Sequence, residues 1–220
     1  LGEAQMPNTA PHASAGGPYY VQVGNALVLS AAASFDADGG PLYYRWDLDG
    51  DGQFDDVVGV GPTIPWAMLG DFGLNGEGAY TIALQVGDDP SFALASTATS
   101  TVTVYTNDPP AFSGGDTVSV TMNENNTNPM GFYGVSDPQL AFQGLSLSIS
   151  GGADAALFYV LGNYGLYFHS APNFEAPIDA NGDNIYEVTA RLTDSDGAYD
   201  EQTVYVTIVN RNEAPTAVAA

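Results

Sequence analysis

Residues 45–56 read RWDLDGDGQFDD. Asp47, Asp49, Asp51 and Asp55 fall in this short run, with Gly50 and Gly52 between them. Carboxylates at alternate positions followed by glycine at the sixth place match the first half of a calcium loop. In such a loop, positions one, three and five supply side-chain oxygens and the glycine permits a sharp turn. Asp55 takes the ninth place, as that loop requires. The twelfth is Val58, where a helix-flanked loop has a bidentate Glu, so an oxygen must come from elsewhere. Asp56 or a neighbouring loop could supply it. The alternative is an acidic β-turn with no ion, but carboxylates this close repel one another unless a cation sits among them. A second run of alternating oxygens, Asp179, Asn181 and Asp183, reads equally well as a calcium cluster or a solvated hairpin.

The segment before the first loop must position it. Leu42, Tyr44, Trp46 and Leu48 alternate with Tyr43, Arg45 and Asp47, which is the period of a half-buried strand. Trp46 falls on its apolar face and reads as core.

Composition narrows the chemistry. The 220 residues carry 26 acids against three Arg (Arg45, Arg191, Arg211) and no Lys, a formal charge of −23. This disfavours nucleic acid and anionic lipid as partners, because phosphate binding needs basic residues, and it favours divalent cations. There is no Cys, hence no disulfide framework, thiolate chemistry or Cys-type zinc site. His12 and His169 are isolated and read as incidental. Every acid cluster has ligand spacing, and no nucleophile–base pair stands out, so a non-catalytic protein is expected. No apolar run is long enough to span a membrane. The ragged ends suggest an excerpt of a longer secreted chain.

Strand periodicity runs throughout. Residues 20–23 and 26–33 read as strands, the second with Leu27, Leu29, Ala31 and Ala33 on one face. Residues 59–79, with Pro62 and Pro65, read as irregular with short strands. Tyr80, Ile82, Leu84 and Val86 alternate cleanly, as do Val102 and Val104 with Thr99, Thr101 and Thr103. After the Pro109-Pro110 boundary, Val118, Val120 and Met122 form one inward row and Leu145, Leu147 and Ile149 another. Residues 157–161, 166–169, 184–193 and 202–209 complete the set. The pattern predicts an all-β chain of two antiparallel sandwiches, residues 1–106 and 107–211, with 212–220 a linker or the start of a following repeat.

Two resemblances sharpen this reading. AGGPY at 15–19 and SFDADGGPLYYRWDLDGDGQFD at 34–55 resemble the PKD repeat of bacterial surface proteins, over about residues 8–106. The match implies an immunoglobulin-like sandwich used as a spacer or binding module. The second half resembles a bacterial cadherin-like repeat, most clearly in PNFEAPIDANGDNIYEVTARLTDSDG at 172–197. That resemblance implies calcium ligands at Glu124 in NEN, Glu175 in NFE, Asp137 in DPQ, and Asp194 and Asp196 in TDSDG. Gln139 departs from the second acid of the family's Asp-x-Asp. Asn212, in NRNEAP, stands in a linker motif in which Asn and Arg replace two acids, and Asn107-Asp108 is a weaker version of that linker. The resemblance also places Glu124 and Glu175 at the end facing Asn212 and Glu213. Carboxylates of the 47–56 loop, Asp137 and the 194–200 loop are expected to converge on the 106–110 linker. Asn8-Thr9-Ala10-Pro11 returns as Asn212-Glu213-Ala214-Pro215, as in a string of repeats.

The expected function is therefore a calcium-binding segment of a bacterial cell-surface or secreted multi-repeat protein. It would act in calcium-dependent adhesion, contacting other surface proteins or itself as a stiffened rod. The alternative is a polysaccharide-binding accessory module of a secreted carbohydrate-active enzyme.

Overall fold

The structure, a computed structural model, describes residues 8–127, 130–131, 134–141, 143–162 and 165–213. The repeat of the opening motif at Ala214-Pro215 and the rest of the tail lie outside them. The chain divides into two compact units, Leu1–Thr106 and Asn107–Ala220.

The first unit contains β1 (Tyr19–Gln22), β2 (Leu27–Val28), β3 (Tyr43–Asp47), β4 (Val57–Val58) and β5 (Thr63–Ile64). One helical turn, α1 (Trp66–Leu69), and a 3-10 turn (Gly70–Phe72) lead to the long strands β6 (Gly78–Gly87) and β7 (Ala95–Tyr105). A five-stranded sheet runs β1-β7-β6-β3-β4, and β2 pairs with β5. Alternation places Trp46 and Leu48, Ile82, Leu84 and Val86, and Val102 and Val104 in one core with Leu27 and Ile64 of the smaller pair. Trp46 is fully buried, and its indole N–H donates to the Gly59 carbonyl at 3.1 Å, so burying the ring strands no donor.

Two local expectations are revised. Only Leu27–Val28 of the 26–33 segment is regular strand. Leu29 and Ala31 stay inward, donating their N–H groups to Pro62 and Val60, but Ser34 N closes a turn onto Ala31 O and leaves Ala33 exposed. Within 59–79, the turn α1 replaces part of the irregular stretch and seats Leu69 in the core.

The second unit contains β8 (Ala111–Phe112), β9 (Thr117–Asn123), β10 (Met130–Gly131), β11 (Val135–Ser136) and β12 (Leu145–Gly151). A 3-10 turn (Ala155–Leu157) precedes β13 (Phe158–Leu161), β14 (Gly165–Phe168), β15 (Ile185–Asp194) and β16 (Tyr199–Val209). A four-stranded sheet, β12-β15-β16-β9, faces a three-stranded one, β10-β14-β13, and β8 pairs with β11. Tyr186, Val188, Val204, Val206 and Ile208 of the larger sheet share a core with Phe158, Leu166 and Phe168 of the smaller. Tyr186 stands edge-on to Phe168 at 5.1 Å, the arrangement favoured by the ring quadrupoles.

The sandwiches are not wholly antiparallel. In each unit an early strand pairs in parallel with the last one, β1 with β7 and β9 with β16. The second pairing sets Asn123 opposite Val209, and so brings the residues after β9 beside those after β16.

Candidate metal centres

The 47–56 loop hangs between β3 and β4. These strands pair with Trp46 opposite Val57, so the hairpin register sets Asp56 across from Asp47. Asp56 N donates to Trp46 O, and Asp56 Oδ2 accepts from Leu48 N at 2.6 Å and Asp49 N at 3.3 Å. Asp47, only 4% exposed, accepts from Gly50 N at 2.7 Å and Gly52 N at 3.0 Å, one to each oxygen. Gly50 and Gly52 have φ of 75° and 86°, the left-handed region in which glycine is unstrained, and this curls the loop back over the carboxylate. Asp47, Asp49 and Asp56 thereby offer oxygens within 4.8 Å of one another. Asp51 instead turns to Gln53, accepting from its amide N–H at 2.7 Å and its side chain at 2.9 Å. Asp55 is exposed and stands outside this group of three. The spacing of a calcium loop singles out Asp51 and Asp55; the hairpin gathers Asp56 in their place.

A second group assembles where β9 and β16 end. Glu124, Glu175 and Glu213 offer oxygens within 4.8 Å of one another. Glu124 is 1% exposed and accepts from Arg211 N at 2.7 Å and Phe174 N at 2.9 Å. Those two amides, Arg211 first, hold its carboxyl below the ordinary range, because both bonds favour the charged form. Asn210 donates to Glu175 and Asn125 to Glu213, so amide donors ring the group. Asn212 is exposed on the same segment as Glu213.

At the opposite terminus of the second unit, Asn107 Nδ2 donates to Asp194 Oδ2 at 2.9 Å. Asp108 N donates to Gln139 Oε1 at 3.2 Å, and Gln139 N to Asp137 Oδ1 at 2.6 Å. Gln143 Nε2 bridges Asn107 Oδ1 at 2.7 Å and Asp196 Oδ2 at 2.6 Å. Both linker side chains, Asn107 and Asp108, are thus tied into the second unit.

The same arrangement recurs in the first unit, among residues that the sequence analysis does not assign to a site. Asn8 donates to Asp88, Thr9 N to Asp38 Oδ2 at 2.6 Å, and Asp38 N to Asp36 Oδ1 at 2.9 Å. Asp36 corresponds to Asp137, Asp38 to Gln139, and Asp88, which follows β6, to Asp194, which ends β15. In both copies the first acid keeps one buried oxygen without a hydrogen bond, Asp36 Oδ2 and Asp137 Oδ2. The signal was present: Asp36-Ala37-Asp38 is itself an Asp-x-Asp, and Asn8 stands at the head of its unit as Asn107 does.

Asp179, Asn181 and Asp183 occupy the turn entering β15. Asp183 N donates to Asp179 Oδ2 at 2.8 Å and to Asn181 Oδ1 at 3.2 Å. Elsewhere, the isolated histidines have ring partners: His12 stacks on Phe35 and His169 on Tyr159. Among the described residues, no helix is long and apolar enough to cross a membrane.

No curated protein matches the chain. Among solved structures, human protocadherin-24 EC1-2 aligns at 15% identity and TM-score 0.39, covering 93% of this chain and 100% of that one. Mouse cadherin-23 EC22-24 aligns at 16% and 0.37, over 91% of this chain and 65% of that one. Sidekick-1 immunoglobulin domains 1–4 align at 10% and 0.43, over 94% and 49%. The family model described as PKD domain matches residues 8–104, and a second all-β unit follows that stretch.

Proposed function

We propose that this chain is a calcium-binding, non-catalytic segment of a bacterial cell-surface or secreted multi-repeat protein. It acts in calcium-dependent adhesion, contacting other surface proteins or another copy of itself as a stiffened rod. The observation that carries the reading is the Glu124–Glu175–Glu213 group: three carboxylates drawn from distant parts of the chain onto one spot. Three acids at such range repel unless a cation joins them, and the chain is short of cations. It has three Arg and no Lys; Arg191 is paired with Glu201 and Arg45 lies over Phe92. An all-oxygen donor set of carboxylates suits calcium. The Asp47–Asp49–Asp56 group supports the same chemistry in the first unit, and the recurring Asn–Asp cluster supports a repeat architecture.

A calcium titration by calorimetry on chelator-treated protein, with sedimentation in parallel, tests this. Binding at about 10⁻⁴–10⁻³ M together with calcium-dependent association is expected. Absence of binding refutes the reading. A polysaccharide-binding module is the second reading; it draws support from the stacked row of Tyr159 on β13, Tyr167 on β14 and His169 just after β14. A glycan array separates the two.

A further inference from the structure

We propose that residues 179–187 hold a divalent cation inside the second unit, apart from the clusters at its two termini. Its ligands are Asp179, Asn181 and Asp183, with the Ile185 carbonyl. This inference shares the calcium chemistry of the proposed function but adds a site that reading does not require.

The spacing places oxygens at positions one, three and five, a backbone carbonyl at seven and an acid at nine, the order in which a calcium loop presents its ligands. At position six, where such a loop has glycine, Asn184 adopts φ 64°, so the backbone makes the same left-handed turn. Independently of that geometry, Asp179 is 8% exposed and its Oδ1 is buried with no hydrogen-bond partner. Its other oxygen accepts from Asp183 N, which directs the carboxylate into the turn. A buried carboxylate oxygen left unpaired is costly unless a cation or proton satisfies it.

The surroundings hold the turn for an ion. Asp154, 5% exposed, accepts from Ala180 N at 2.7 Å and Glu187 N at 2.8 Å, and its own N–H donates to Glu187 O at 2.9 Å. Both ends of the loop are therefore pinned to one side chain. Glu187 turns its backbone groups toward Asp154, away from β16, and the two-residue period of the strand directs those of Ile185 to the same edge. Ile185 N accordingly donates to Asp183 Oδ1 at 2.8 Å, leaving the Ile185 carbonyl beside the loop. The adjoining depression is lined by Asp154, Asn181, Asp183, Ile185, Glu187 and Tyr205, with no basic side chain among them. A cation here would fasten the start of β15 to the turn carrying Asp154, where β12 has already left the sheet.

The test is a calcium titration of the chelator-treated full chain, read by amide NMR shifts and by calorimetric stoichiometry. Shifts across 179–187 are expected below about 10 mM calcium. The Asp179→Asn/Asp183→Asn variant should bind one ion fewer while keeping the shifts at 47–56. Stationary 179–187 amides, or undiminished stoichiometry in the variant, overturn the inference. If that variant does not fold, the wild-type shifts decide alone. Shifts at 47–56 and around Glu124 without any at 179–187 overturn this inference and leave the proposed function standing. The converse pattern upholds this site and removes the Glu124–Glu175–Glu213 and Asp47–Asp49–Asp56 groups as the calcium sites of the proposed function.

Discussion

Replacing Asp47 with Asn changes one atom and tests which acids bind. The two Asp47 oxygens each accept one glycine amide, Gly50 at 2.7 Å and Gly52 at 3.0 Å. Asn offers one acceptor and one NH₂, so one glycine N–H loses its partner. Loss of a hydrogen bond to a charged acceptor costs about 1.5–3 kcal/mol, and this is expected even in chelator. Calcium adds a separate effect. At about 10 mM, with Kd of about 10⁻⁴–10⁻³ M, an ion binding only the folded state stabilises by about 1.4–2.7 kcal/mol. At about 4 °C per kcal/mol for a unit of this size, the wild type should gain roughly 6–11 °C in Tm. Asp47→Asn should gain little. Asp51→Asn should keep the full gain, because Asp51 bonds to Gln53 and lies outside the group of three. The assay is tryptophan fluorescence during a thermal melt; Trp46 and Trp66, the only two Trp in the chain, both lie in the first unit, so the signal isolates it. Equal calcium shifts in wild type and Asp47→Asn would refute the reasoning, as would loss of the shift in Asp51→Asn.

Two further outcomes are expected. Glu124 has a lowered folded pKa, so its contribution to stability is complete above the unfolded carboxyl value of about 4.3 and is lost as pH falls through the lower folded value. Glu124→Gln should flatten the acid limb of second-unit stability followed by circular dichroism; an unchanged acid limb would show that the Arg211 and Phe174 amides do not hold the charged form. Gly152→Ala should destabilise the second unit by about 1–3 kcal/mol or more in a urea melt, with the tryptophan signal unmoved. Its Cβ would sit 2.5 Å from Val188 Cα and 2.6 Å from Glu187 O, at φ 104°, where the chain crosses β15; a variant as stable as wild type would contradict that crossing.

Strand content was legible because a half-buried strand writes its period into neighbouring residues. Trp46 and Leu48, Ile82 to Val86, and Val102 and Val104 face the core as their alternation indicates. The reading overshot at Ala33, where periodicity continues but a turn onto Ala31 ends the strand. It did not foresee α1, whose single turn is too short to show a helical period. It also missed the acids Asp36, Asp38 and Asp88, which Asn8 and Thr9 link by hydrogen bonds across most of the first unit.

The sequence by itself determined the all-β class, the −23 charge that disfavours nucleic acid and anionic lipid as partners, and the short runs in which acids alternate. These are properties of composition and of spacing within a few residues. Which acids meet was decided by tertiary structure. Asp56 joins Asp47 because β3 and β4 pair with Trp46 opposite Val57; a shift of one residue would have presented Asp55. Glu124 meets Glu213 because β9 lies parallel to β16 with Asn123 opposite Val209, so both chains leave the sheet at the same place. Strand register is fixed by the buried faces of whole sheets, and no local spacing of carboxylates contains it.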